Sequence, residues 1–399
     1  MFNQTSTGVL DKLSILLIFS AFISLLYYWD PTRTYLKRWQ ESDPYIFEKV
    51  DPAFSNFDVT KHLSIFEPSD VLNIRVKLND IIWGKNKLNR VPDEVIYHRF
   101  ESSQIDEKCV DKTFTKTLRQ LSCELHIYKN WKNLISVQEL KLVIDGKYTA
   151  SIGYFLPEVS NGVLILYHHG YAGTYHDQHK MLQRLNAQGY TIAALNHAAY
   201  GDNACPSKDD KYCHVAWGKF NINKPMRVHF SPIDAVINYA LKNEQLKHVA
   251  MIGFSAGAWV TAIAAALIPR IDLSVLIAGV MPIPLRRGNE WPSAQRYKPL
   301  VKAASFLDLF IMATDTPKRT QFHIFNQFDR CCYSGLRPTL YDKALRYHIS
   351  KTTGGHLEVL IDSSHPRHKI SSYAFENILV WLNFSFNLNE RHEPLGLFH

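Results

Sequence analysis

No internal repeat recurs along the 399-residue chain and no low-complexity tract interrupts it. Their absence excludes a solenoid or a propeller. A Lys/Arg block long enough to follow a nucleic-acid backbone is missing too, as are an RNP-like aromatic motif and zinc-finger spacing. The net charge of +8 is spread along the chain, so nucleic acid is not an expected partner. What is present is ordinary for a folded protein: 46% hydrophobic and 21% charged residues, enough to bury a substantial core in one large domain or two smaller ones.

One segment departs from that pattern. Leu13 to Trp29 reads LSILLIFSAFISLLYYW without a charge, close to the minimum length for a helix crossing a hydrocarbon core of about 30 Å. Tyr27, Tyr28 and Trp29 fall where an interfacial aromatic belt would lie, and Arg33, Lys37 and Arg38 follow. The run lacks a small-x-small cleavage site and has little positive charge before it, so an uncleaved single-pass anchor at 13–29 is expected, after a short tail at 1–12. The basic residues beyond the span place the main domain in the cytoplasm by the positive-inside rule. The six cysteines form sequence-local pairs, Cys109 with Cys123, Cys205 with Cys213, and Cys331 beside Cys332. That pairing would suit an oxidising compartment. The side of the membrane therefore stays open.

Residues 30–136 show short mixed patterns and no recognisable chemistry, and are expected to be a membrane-proximal extension packed on the main domain. From 137 the rhythm changes. Strand-like VQELKLVI, YTASIGYFLP, VLILYHH, TIAALNH, HVAMIGF, SVLIAGV, HIFNQFD and HLEVLID are interspersed with helical patterns. These are a helix around His176 to Gln188, then SPIDAVINYALKN, AGAWVTAIAAALI and a last helix over Ser371 to Phe384. The alternation predicts an α/β domain over 137–386, with a mostly parallel central sheet flanked by helices. Two polar, Pro- and aromatic-containing stretches, 198–226 and 281–319, follow strand C-termini, the end at which open parallel sheets bind ligands. They are read as lid loops. Residues 387–399 form a C-terminal tail.

The sharpest signal is Gly253-Phe254-Ser255-Ala256-Gly257, set between the strand HVAMI and an Ala-rich helix. That is the strand–turn–helix context in which a serine sits on a tight turn, with glycines removing clashes on either side. Its hydroxyl would project at a helix N-terminus, where free N–H groups favour developing negative charge. A serine needs a base to take its proton and a carboxylate to orient that base. Asp329 follows the strand HIFNQF. His365 lies in the loop after the last strand and is preferred as base over His356, at that strand's wrong end, and His368, nearer the final helix. Asp362 is set aside as too close to the histidine loop to reach its far side. Glu290 stays open as an alternative acid.

HHG-Y after a strand, GFSAG, Asp329 and His365, in this order, resemble the α/β-hydrolase superfamily at its esterase/lipase-like end, over about 137–386. The resemblance implies an oxyanion hole from the backbone N–H groups of Ala256 and Tyr171, with Gly170 leaving room beside it. His168 and His169 are then loop-shaping residues. His176 and His179 are read as surface helix residues rather than metal ligands, and neither a metal nor another cofactor is expected. The segment 281–319 carries Arg286, Arg287, Arg296, Lys298, Lys302, Lys318 and Arg319. Folded over the site these would make its entrance basic, but a solvated loop explains them as well. Tyr200, Trp217 and Trp291 are candidate pocket residues.

The expectation is a membrane-anchored serine hydrolase cleaving a small-molecule or lipid carboxylic ester through an acyl-enzyme. An acyltransferase or thioesterase would use the same triad. A non-catalytic binding protein on the hydrolase fold is the alternative from another class. A peptidase is disfavoured, because 30–136 lacks the repeats of a gating propeller.

Overall fold

The computed structural model describes residues 29–41, 43–84, 90–98, 120–171, 173–203, 222–288, 290 and 293–386, with Ser14, Leu17, Ile18, Phe19, Ser20, Phe22 and Ser24. Most of the expected span at 13–29 lies outside these residues, as do the tails at 1–12 and 387–399, Cys109, Cys205, Cys213, Trp217 and Trp291. Among the described residues no helix is long and apolar enough to cross a membrane.

Nine strands form one sheet: β1 (Glu94–His98), β2 (Leu134–Ile144), β3 (Tyr148–Pro157), β4 (Val163–His168), β5 (Thr191–Leu195), β6 (His248–Phe254), β7 (Leu273–Ile277), β8 (Thr320–Asn326) and β9 (His356–Asp362). Their order is β1-β2-β3-β5-β4-β6-β7-β8-β9. β1 pairs with β2, β2 with β3 and β3 with β5, all antiparallel, and β4 through β9 run parallel. The central strands are short and wholly buried, as in VLILYH of β4 and TIAAL of β5, because helices cover both faces.

The two faces divide along each strand with period two. Leu164 and Leu166 of β4 join one core with the helices Arg227–Asn243 and Ala256–Leu267. Val163, Ile165 and Tyr167 join the other, with the helices His179–Ala187 and Ser372–Phe386.

The segment before residue 137 is built into this body. Val59, Ile65, Ile74, Leu78 and Ile82 are buried in the same core as the helix Ala256–Leu267, and Glu94–His98 supplies the edge strand. The helix Pro68–Trp83 turns an amphipathic face inward, and its Arg75 reaches across to the main domain. Arg75 donates to the Ala266 carbonyl at 2.9 Å and the Met312 carbonyl at 3.2 Å, and pairs with Asp315 at 2.5 Å.

The stretch 281–319 is mostly helical rather than a solvated loop. Its helix Phe306–Ala313 is buried at every position. A capping box of Ser305 and Asp308 starts that helix, and Asp308 also accepts from the Ser64 N–H at 2.7 Å. The basic entrance expected from this stretch loses two of its members. Arg286 is buried against Phe306 and Tyr333, and Arg319 is buried against Asp315 and four backbone carbonyls. Guanidinium groups with so many fixed acceptors brace the core rather than face a ligand.

Replacing Arg75 by Met removes the side-chain donor to the Ala266 carbonyl, while the Met312 carbonyl and Asp315 keep Arg319. Urea unfolding of Arg75→Met should show a loss of about 2 kcal/mol. A midpoint equal to that of the parent chain would mean that the helix Pro68–Trp83 does not depend on this contact.

Candidate active site

Strand β6 ends at Phe254 and the helix Ala256–Leu267 begins at once, leaving Ser255 alone in the turn with φ 56° and ψ −126°. A side chain at positive φ is strained. The Ser255 N–H is fixed to the Ile277 carbonyl of β7 at 2.8 Å. Room for the turn comes from glycines at which backbone or side chains approach closely. A Cβ on Gly257 would lie 2.0 Å from the His168 carbonyl oxygen, and one on Gly253 would lie 2.3 Å from the Gly257 oxygen. On Gly279, which sequence reasoning did not single out, it would stand 1.6 Å from the Ser255 oxygen.

The loop after β4 lies over the serine. A Cβ on Gly170 would fall 2.5 Å from the Ser255 Cβ and 3.0 Å from its Oγ. Tyr171 follows, its ring 4.5 Å from that of His197 and 6.1 Å from that of Tyr200. Ala256 opens the helix, so its N–H lies in the first turn, where helical amides have no intrahelical acceptor. His168 and His169 are both buried within the loop. His168 Nδ1 is 2.8 Å from the His169 carbonyl, and His169 Nδ1 is 2.8 Å from the Tyr167 hydroxyl. His176 is not on the surface, as the sequence suggested: it is fully buried, with Nδ1 bonded to the Tyr128 hydroxyl. Tyr128 comes from the earlier helix Leu121–Tyr128, which had no legible pattern.

Asp329 stands beyond the C-terminal end of β8 and is 1% exposed. Its Oδ1 accepts from the Cys331 N–H at 2.8 Å, and its Oδ2 lies 2.5 Å from Nδ1 of His368. The structure does not bring His365 to Asp329. Its Nδ1 accepts from the Arg367 N–H at 3.2 Å, and its Nε2 faces Asp362 Oδ2 at 3.3 Å. This 1%-exposed ring is thus enclosed inside the loop, its Nε2 turned to Asp362. Asp362, set aside on sequence grounds as too near, reaches His365 because the loop after β9 folds back over three residues. Burial would raise the Asp362 carboxyl, but hydrogen bonds from His365, Ser364 and Ser371 outweigh it and hold the group at about 2. His368 is the more exposed of the two, 23% against 1%, and is held by Asp329 rather than Asp362. Its Nε2 has no hydrogen-bond partner among the described residues, and its ring lies 4.8 Å from that of Phe254, the residue before Ser255.

The remaining alternatives lie elsewhere. Glu290 is held by a two-point pair with Arg337, 2.7 Å on each oxygen, and accepts from the N–H groups of Arg287 and Tyr333. His356 starts β9 at the opposite end of the sheet, its ring 5.3 Å from that of Trp381. Ser255, Asp329 and His368 all lie beyond the C-terminal ends of parallel strands. Near them, Cys331, Cys332 and His368 are the one group of potential metal-ligating side chains that converges among the described residues.

The family model described as alpha/beta hydrolase fold matches residues 163–372, more than half of the chain. Among solved structures, a Pyrococcus furiosus esterase aligns with TM-score 0.42 and 14% identity, over 63% of this chain and 91% of its own. A cold-adapted esterase from an Arctic intertidal metagenomic library aligns with TM-score 0.41 and 16% identity, over 63% and 94%. For an acylaminoacyl peptidase of Pyrococcus horikoshii the values are 0.45 and 14%, over 67% and 44%. No curated protein gives a significant match.

Buried imidazoles around this region set a pH limit on stability. Burial holds His168 and His169 at about 4 and His229 and His323 at about 3, below the ordinary 6.5. The unfolded chain binds these protons first, so their stabilisation is complete above about pH 6.5 and is lost as pH falls toward 4. The melting temperature should therefore drop by several degrees between pH 7 and 4.5. His229→Phe should flatten that slope, and an unchanged slope in the variant would remove His229 from the cause.

Proposed function

Because the chain belongs to the α/β hydrolase fold family, we propose that it is a serine hydrolase of carboxylic esters, with Ser255 as nucleophile, His368 as base and Asp329 as the carboxylate that orients it. The observation that carries this assignment is the 2.5 Å contact of Asp329 Oδ2 with His368 Nδ1, which leaves Nε2 unpartnered beside the elbow. That carboxylate fixes the tautomer in which Nε2 is the basic nitrogen. Nε2 takes the Ser255 Oγ proton as Oγ attacks the acyl carbon. It returns the proton to the leaving alcohol, and the same pair then activates water to release the acid. The N–H of Ala256 at the helix start and that of Tyr171 above Gly170 receive the developing oxyanion. His365, enclosed between the Arg367 amide and Asp362, braces the loop that carries His368.

Short-chain p-nitrophenyl esters and a fluorophosphonate probe test the assignment. Ser255→Ala should abolish labelling. His368→Ala should lower kcat at least about a thousandfold, whereas His365→Asn should lower it about tenfold or less. Labelling that persists in Ser255→Ala would remove the nucleophile. A larger loss in His365→Asn than in His368→Ala would return the base to His365.

The same reading includes attachment to a membrane through residues 13–29. Support comes from the uncharged sequence and from Leu17, Ile18, Phe19, Phe22 and Trp29, all largely exposed on the chain itself. The full chain should remain with membranes after alkaline carbonate washing, and a chain starting at residue 30 should be released. Release of both would exclude the anchor.

A further inference from the structure

The turn that carries Asp329 continues into Cys331 and Cys332, which are joined by a disulfide. The two sulfurs and a ring nitrogen of His368 all lie within 4.8 Å of one another. Cys331 is exposed, and Cys332 and His368 are half-buried, so a reductant can reach the pair from solvent. Asp329 occupies Nδ1 of His368, leaving Nε2 as the nitrogen able to coordinate. Two thiolates and an imidazole oriented by a carboxylate form a donor set suited to a soft or borderline divalent cation such as Zn²⁺. Ligand atoms sharing a tetrahedral zinc sit about 3.5 Å apart, so the freed cysteine side chains have to rotate toward the ring to close the site.

We propose that reduction of Cys331–Cys332 creates a Cys2His site for a zinc-class ion at the rim of the active site, and that the bound ion withdraws His368 from catalysis. A dithiol supplies the two electrons and two protons that open the disulfide and is itself oxidised to its cyclic disulfide. The cation then displaces the two thiol protons and binds both sulfurs and Nε2, leaving a fourth position for water. Exchange with a disulfide oxidant, which takes up the two electrons and leaves as two thiolates, re-forms Cys331–Cys332, expels the ion and restores the base. The inhibitory half rests on the reading of His368 as the base, whereas the metal site itself does not.

The test uses the full chain, either oxidised or reduced with dithiothreitol and desalted without air, titrated with zinc against a chromophoric chelator. The reduced protein should bind one more equivalent than both the oxidised protein and the Cys331→Ser/Cys332→Ser variant. His368→Ala should bind that equivalent at least tenfold more weakly. Ester hydrolysis by the reduced protein should fall at least tenfold with zinc and recover with EDTA, while the oxidised protein is unaffected. Cys331→Ser alone, altered at an exposed position, repeats the comparison if the double variant melts early. No extra equivalent, with hydrolysis intact, would overturn the metal site and leave the triad standing. Zinc held through His368 with hydrolysis undiminished would leave the metal site standing and overturn His368 as the base.

Discussion

The turn at Ser255 is the constraint around which the rest of the molecule is arranged. A serine at φ 56° costs about 1–3 kcal/mol in backbone strain, and such a conformation persists only where its surroundings over-determine it. Here β6 arrives wholly buried beyond its first residue, and the helix Ala256–Leu267 leaves with every position buried. The Ile277 carbonyl holds the serine amide. Neither Gly253 nor Gly257 has a positive φ. They are needed because His168 and Thr261 press so closely that no Cβ fits. Gly279 does the same from β7's side, so three adjacent strands share the work of fixing one side chain.

With Ser255 fixed at the end of β6, its candidate partners come from neighbouring strand ends. Asp329 follows β8, and the loop after β9 brings the imidazole. That loop is an internally bonded unit. Asp362 accepts from the Ser364 N–H and the Ser371 hydroxyl and faces His365, while Asn326 of β8 donates to the Lys369 carbonyl at 2.9 Å. The low proton affinity of Asp362 follows from these bonds. A buried carboxylate–imidazole pair thus shapes the loop, and a second, more accessible pair three residues on faces the elbow. Two His–Asp pairs lie side by side, and the imidazole of the second is the more exposed.

That duplication explains where the sequence could be read and where it could not. The parallel sheet from β4 onward, the elbow at 253–257 and the position of Asp329 follow from local patterns: buried apolar runs, glycines at fixed spacing and a carboxylate after a strand. The choice between His365 and His368 depends on the path of an eight-residue stretch, 363–370, for which no periodicity exists. The Asp362–His365 spacing of three was the available signal, and it marks a loop brace as readily as it marks proximity. The early residues were opaque for a different reason. Val59, Ile74, Leu78 and Ile82 contact the elbow helix's core at great sequence distance, and a pattern of such contacts looks mixed when only its own segment is inspected.

Those early residues also reach the turn at Asp329, so they cannot be a mere spacer. The Gln327 amide donates to the Phe47 carbonyl at 3.1 Å, the Phe47 ring meets Phe328 at 5.7 Å, and Arg330 pairs with Glu41 at 3.3 Å. On the far side of the turn, a Cβ on Gly335 would lie 2.5 Å from the Ile46 carbonyl oxygen. The exposed Glu41–Arg330 pair contributes little by itself, but the buried phenylalanines and the amide bond lie directly against residues 327 and 328. The segment 41–47 therefore closes over the back of the turn that carries Asp329. Displacing it would leave the Asp329 turn packed on one side only. The chain from residue 41 onward is in this sense part of the candidate site's wall, and the α/β body begins well before its first parallel strand.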